Sequence, residues 1–411
     1  MSSNSPETHL LDRISSLRAR AASFQRPDAI EPLEWEKTTG IALELLRVAG
    51  LRERGELPPA KFPWAYAGVD DAAAMVAHAG ELLDALAAGR DPYAGLFAEP
   101  GHHTVDHALF HDGERFHCIY IRGRAGWHWP QSPCNDFGHA TSEDLARWTP
   151  QAPVLRCPGK GWDSFQVWAP HVIRHEGEWW MFYTGVNEVA CQAIGLARSR
   201  DLKSWERHPG NPVITPGPWC GMWGTGHWSD CRDPMVLKDD DGTFYCYYTC
   251  ARRVPVAAPV EPGTPEYGNA DRDKVGGPVE SCLGVASSRD LINWKDEGFI
   301  RLEKSLHTPP ESPFMVKRGG RYFLFYTDYK LGTTCVVSDH PTRGFEYLPG
   351  GRDVIVPGVS ASEIIEHDGA WFISKIVHRP QAMHFLAVNK LEWDEDGLPR
   401  EGEPMAPQAT M

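Results

Sequence analysis

One pattern recurs five times in this chain and restricts its fold more than anything else. An apolar strand, a turn containing glycine and an aromatic strand follow one another as ALFHDGERFHCIYI from Ala108, HVIRHEGEWWMFYT from His171, MVLKDDDGTFYCYYT from Met235, PFMVKRGGRYFLFYT from Pro313 and EIIEHDGAWFISKI from Glu363. A lone hairpin with apolar residues on both faces has nowhere to bury them, so the copies must pack against one another. A second motif follows three of the copies: SEDLARW ending at Trp148, SRDLKSW ending at Trp205 and SRDLINW ending at Trp294. It suits a turn into the outer strand of a four-stranded unit, and in the fourth copy it decays to SDHPTRGF. A β-sandwich also has many short strands, but it does not require two motifs to recur in the same order. The expected fold is all-β, a five-bladed β-propeller, with a strand from His384 to Trp393 completing the fifth blade.

The first quarter reads differently. Leu10 to Phe24, Pro32 to Leu51 and Asp70 to Arg90 carry helical apolar spacing and are rich in Ala, Leu, Glu and Arg, with Asp70 or Asp71 as the N-cap of the third helix. The expected division is an N-terminal α-helical extension over residues 1–95 and a propeller over residues 96–411. Residues 251–280, rich in Pro and Gly, interrupt the third blade and read as a long loop.

A net charge of −14 argues against a nucleic-acid partner, which calls for a basic face. No stretch approaches the ~20 apolar residues of a membrane span. Met1 to Pro6 are polar, and Asp12, Arg13, Arg18 and Arg20 break up the next segment, so neither a secretory signal nor a membrane partner is expected. The ten cysteines, among them Cys118 and Cys246 inside strand patterns, then read as reduced, buried residues of a cytoplasmic protein. The helices offer a surface for homo-oligomer formation.

In a propeller the innermost strands line a central channel, so their leading residues converge. Counting back two residues from each hairpin start gives Asp106, Ala169, Asp233, Glu311 and Ala361, of which three are carboxylates. Each could cap a turn or pair with a cation such as Arg232. Three in matching positions point instead to chemistry, because clustered like charges raise one another's pKa and are kept for a purpose. Glycoside hydrolysis uses such a set: one acid to protonate the leaving oxygen, and one carboxylate to activate water or to attack the anomeric carbon.

The repeat, together with WAP at 168–170, RDP at 232–234 and ESP at 311–313, resembles the five-bladed glycoside hydrolases of family 43 (arabinanases and xylosidases) and family 32 (invertases and fructanases) over about residues 100–395. The resemblance implies that Glu311 is the general acid, Asp106 the general base or nucleophile, and Asp233 the residue that tunes the acid or stabilises the transition state. Arg232 would orient Asp233 or contact a hydroxyl. The chain departs from the pattern at VDHAL around Asp106, at His171 after WAP and at Ser312, where invertases carry Cys, so it resembles an outlying member. Many family 43 enzymes bind a channel cation through a blade V histidine. Here that stretch reads VSASEII, and no metal or other cofactor is expected. His102, His103 and His107 are the alternative imidazole set, with hydroxyl contacts near Asp106 as their simpler role.

Trp127, Trp129, Trp162, Trp168, Trp219, Trp223 and Trp228 lie between the first and third blades and suit the apolar faces of sugar rings. The expected substrate contacts are Trp168, Arg232, His107, His171, Trp228 and Glu363. The function expected is hydrolysis of a terminal furanose or pentose unit of a small carbohydrate. Two alternatives are a glycoside phosphorylase, for which Arg232, His307 and Arg252 would bind phosphate, and a non-catalytic sugar-binding propeller.

Overall fold

A computed structural model describes residues 6–57, 71–127, 135–220, 223–224, 229–253, 279–306, 309–358, 361–381 and 383–406. Its strands fall into five antiparallel sheets in simple up-and-down order. Blade I holds β1 (His102–His111), β2 (Phe116–Arg124), β3 (Phe137–Ser142) and β4 (Thr149–Val154). Blade II holds β5 (Gln166–His175), β6 (Glu178–Val186), β7 (Gln192–Ser199) and β8 (Glu206–Arg207). Blade III holds β9 (Arg232–Lys238), β10 (Phe244–Arg253), β11 (Val279–Ser288) and β12 (Lys295–Ile300). Blade IV holds β13 (Glu311–Arg318), β14 (Arg321–Asp328), β15 (Gly332–Ser338), β16 (Glu346–Tyr347) and β17 (Val354–Pro357), and blade V holds β18 (Ile364–His367), β19 (Ala370–Arg379), β20 (Met383–Trp393) and β21 (Pro399–Pro404). This is the five-bladed propeller. The last blade differs from expectation in one respect: β20 is its third strand, and β21 completes it.

The aromatic strands are buried on both faces because each blade packs between two neighbours. Trp179 to Val186 in β6 and Tyr322 to Asp328 in β14 are buried almost without interruption. Separate apolar cores fill the wedges between blades I and II, between blades II and III, and across blades III to V. Close approach fixes the register in two blades. Tyr120 lies opposite Gly138 and Tyr248 opposite Gly284, and a Cβ at either glycine would come within 2.2 Å of the facing tyrosine ring. Only glycine leaves room for the ring there.

The Ser-x-Asp-Leu motif is the turn from third to fourth strand. Ser142, Ser199 and Ser288 each accept the N–H of the leucine three residues on at 2.9 Å, and those leucines adopt φ of 61°, 60° and 64°. The turn satisfies backbone donors where the chain reverses and drives the leucine into the wedge. The decayed fourth copy keeps part of this device, with Ser338 accepting from His340 N–H at 3.0 Å.

Three helices precede the sheets: α1 (Pro6–Ser23), α2 (Pro32–Glu53) and α3 (Ala72–Ala87). Asp71 caps α3 by accepting the N–H of Ala73 at 2.8 Å. The buried faces of α2 and α3 share one core with Trp127, Val377, Met383, Phe385 and Ala387, so the helices pack on the outer side of blades V and I. Lys37 anchors α2 through the carbonyls of Tyr93 and Leu96, at 2.7 and 2.8 Å. Among the described residues, no helix is long and apolar enough to cross a membrane. The expected loop lies largely outside the described residues, but its ends extend β10 to Arg253 and begin β11 at Val279.

Candidate active site

The leading ends of all five inner strands meet at the hub, where Asp106, His107, Ala169, Pro170, Asp233, Pro234, Ser312, Ala361, Ser362 and Glu363 line one pocket. A one-residue bulge in blades I to IV turns the chain toward it. Ala169, Asp233 and Ser312 take left-handed φ of 41°, 58° and 48°, and Ala361 in blade V takes 51°. These residues occupy the same position in their blades, which corrects the count made from the hairpins. Glu311 pairs with Thr327 as Arg232 pairs with Thr249, Trp168 with Thr184 and Thr104 with Arg122, so Glu311 stands one residue before the place held by Asp233 and Asp106 one residue after it. The three acids thus occupy three successive positions of the bulge, and blade III fills the first two with Arg232 and Asp233.

Threonines of the second strands hold these bulges across blade boundaries. Thr184 accepts the N–H of Asp233 at 2.9 Å, and Thr327 accepts that of Ala361 at 2.9 Å. Between blades III and IV the arrangement changes. The N–H of Ser312 goes to Oδ2 of Asp233 at 3.1 Å, and the Thr249 hydroxyl lies 3.1 Å from the same oxygen. Asp233 is thus fixed by two donors that a plain structural repeat would spend on backbone.

Arg232 connects the acids. It is buried, donates to Asp230 at 2.5 Å and to Oε1 of Glu311, and lies 3.8 Å from Oδ2 of Asp233. Gln192 accepts from it at 3.3 Å. Oε2 of Glu311 accepts the hydroxyl of Tyr329. Burial raises Asp233 to about 6, with Arg232 opposing and Glu311 adding to the shift. Burial, followed by the charges of Asp233 and Glu311, holds Asp106 well above the usual carboxylate range. Burial also raises Glu363, while His171 and the N–H of Leu109 pull it back. Burial and mutual repulsion thus oppose the joint ionisation of Asp106 and Asp233.

The remaining expected contacts divide. His107 and Glu363 line the pocket but also close the ring: His107 Nε2 lies 2.6 Å from the Ser374 hydroxyl, and Glu363 accepts the N–H of Leu109 at 2.5 Å. Burial lowers His107 to about 4, so it is neutral. His171 is buried, with Nε2 3.2 Å from the Val236 carbonyl and Nδ1 3.8 Å from Glu363. Trp168 is buried with its indole N–H on Gln166 at 2.9 Å, and neither it nor His171 is among the residues lining the pocket. Trp162 packs against Tyr183, and Trp219 donates to Asp296 at 3.1 Å beside Phe299, so packing accounts for both. Trp129, Trp228 and His307 lie outside the described residues. The exposed aromatic at this site is Tyr329, which sequence reading missed. Its only mark in the sequence is its place just after the aromatic strand of the repeat that carries Glu311.

Among the described residues, no three His, Cys, Asp or Glu side chains are placed to hold a metal ion. His102 bonds the Pro100 carbonyl at 3.0 Å, His103 stacks on His384 and His107 bonds Ser374, so these three imidazoles do not converge. The blade V residues at the channel do not form a ligand set either, because Ser362 bonds Thr333 at 2.6 Å and Glu363 bonds Leu109.

The family model for glycosyl hydrolases family 43 matches residues 106–257, a span that begins at Asp106 and includes Asp233. A sucrose:sucrose 1-fructosyltransferase of Festuca arundinacea is 26% identical over 209 residues, which are 44% of this chain and 30% of the relative. An acid beta-fructofuranosidase of Phaseolus vulgaris is 35% identical over 106 residues, 24% of this chain and 15% of the relative. The chain resembles the propeller glycoside hydrolases of families 43 and 32. The matched region spans under a third of those curated relatives. Among solved structures, a thermostable family-43 glycoside hydrolase superposes with a TM-score of 0.55 at 18% identity, over 75% of this chain and 95% of that one. Fructan 1-exohydrolase IIa from Cichorium intybus gives a TM-score of 0.55 at 18% identity, over 76% and 60%. Both likenesses establish the fold.

Proposed function

We propose that this protein is a glycoside hydrolase that removes a terminal furanose or pentose-type unit from a small oligosaccharide or glycoside. The observation that carries the reading is that Asp106 and Asp233 line one pocket at the hub, and that Glu311, outside that lining, is joined to Asp233 through Arg232. In this reading Glu311 protonates the glycosidic oxygen, and Asp106 attacks the anomeric carbon or activates water. Asp233, held by Ser312 and Thr249, stabilises positive charge developing on the sugar. No organic cofactor is required.

The phosphorylase reading loses support from the pairing of its cations. Arg232 is engaged by three carboxylates, and Arg252 is tied to Glu280 at 2.5 Å and lies over Phe299. Buried thiols such as Cys118, Cys246 and Cys335 suit a reducing, cytoplasmic setting. Exposed Leu33 and Leu43 on α2 support self-association through the helices.

The test is turnover. Glu311→Gln and Asp106→Asn, each nearly isosteric, should lower kcat by at least about 100-fold while circular dichroism stays native. Near-native turnover by either variant on a disaccharide that the unmodified protein cleaves, whose leaving oxygen needs protonation, would remove that residue from its role. Binding without turnover by the unmodified protein would leave a sugar-binding propeller.

A further inference from the structure

Tyr329 is 43% exposed, yet its hydroxyl donates to Oε2 of the partly buried Glu311. Arg232 holds the other oxygen, so the two groups between them engage both oxygens of the carboxylate, and Tyr329 is the exposed one. The backbone beneath it is fixed. Buried Asp328 accepts the N–H groups of Lys330 at 2.9 Å and Leu331 at 3.1 Å, and its second oxygen holds Ser305 at 2.6 Å. Gly332 closes the turn against Pro357 with φ of 109°, where a Cβ would lie 2.2 Å from the carbonyl oxygen of Val356. A fixed turn thus carries an exposed ring, with exposed Leu331 beside it.

We propose that Tyr329 marks the seat of the leaving group: its hydroxyl stands where the glycosidic oxygen meets Glu311, and its ring is the platform on which the departing sugar stacks. This rests on the glycosidase reading. As the C–O bond breaks, its electron pair stays on the leaving oxygen, which takes the proton of Glu311, while Asp106 or water bonds to the anomeric carbon. The product is then an alcohol whose O–H faces the new Glu311 carboxylate, the same pairing that Tyr329 makes in the free protein. The phenol acts as a stand-in that substrate displaces by rotating the ring.

The experiment compares xylobiose, arabinobiose and sucrose with the xylosyl, arabinofuranosyl and fructofuranosyl fluorides, whose leaving group has no ring and needs little protonation. Tyr329→Ala should raise KM for whichever disaccharide the unmodified protein cleaves by about tenfold and leave the matching fluoride within about twofold. Tyr329→Phe, which keeps the ring, should hold KM for the disaccharide within about threefold. Equal losses on disaccharide and fluoride, or a Phe variant as impaired in KM as the Ala variant, would overturn the platform. If the unmodified protein turns over none of the six, the glycosidase reading fails, and calorimetry with the three disaccharides still decides about Tyr329. Affinity lost in Tyr329→Ala then keeps the ring as a sugar platform while ending its role at a leaving group, and affinity unchanged or absent in both proteins refutes the platform as well.

Discussion

Two residues at the hub illustrate a conflict between function and stability. Asp106 is pushed up by burial and by neighbouring acids, so ionising it in the folded protein costs more than in the unfolded chain. A group whose folded pKa is raised adds stability below its unfolded pKa and loses it as pH rises through the folded value. Asp106→Asn should therefore melt above the unmodified protein at pH 8, with the gap closing toward pH 4, as differential scanning calorimetry would register. Asp233, raised to about 6, follows the same sign over the window from about 4 to about 6. Arg232 is the opposite case, since it offsets three carboxylates from within the protein. Arg232→Met would leave Asp230, Asp233 and Glu311 without their shared cation. We expect a loss of about 3–5 kcal/mol in urea unfolding together with loss of turnover.

At the scale of the element, the blade is a device for placing side chains. Its second strand is buried on both faces, its third strand yields to a tyrosine, and its first strand carries near its leading end the bulge that faces the hub. Gly284 is the sharpest test of the tyrosine contact, because an added Cβ would meet the ring of fully buried Tyr248. Gly284→Ala should cost about 1–3 kcal/mol in equilibrium unfolding. The five hairpins and the Ser-x-Asp-Leu turns were readable because each is local, set by strand alternation and by hydrogen bonds within a few residues. The bulge was not. A one-residue slip leaves the hairpin pattern intact, so counting placed Asp106 and Glu311 level with Asp233, whereas the ladder aligns Glu311 with Arg232 and Asp106 with Pro234.

For the whole molecule, the ring closes where blade V meets blade I. There Glu363 accepts from Leu109, His107 meets Ser374, and Phe97 exchanges hydrogen bonds with Leu386 at 2.8 and 2.9 Å. The helices cover the outer side of the same junction. We propose residues 96–411 as the catalytic unit, but Met383, Phe385 and Val377 belong to the core that α2 and α3 complete. A chain starting at residue 96 would expose that apolar surface, and we expect it to express with lower solubility and a lower melting temperature than the full chain.

By itself the sequence determined the five blades and the helical extension, and it nominated the three acids of the candidate site. These come from periodic burial and from motifs repeated in order, which survive without knowledge of contacts between distant residues. The tertiary structure decided the partners. It locked Trp168 and His171 into packing, made Glu363 and His107 closing contacts of the ring, and brought Tyr329 onto Glu311. Such pairings depend on distances between residues far apart in the chain, and only the closing of the ring sets those distances.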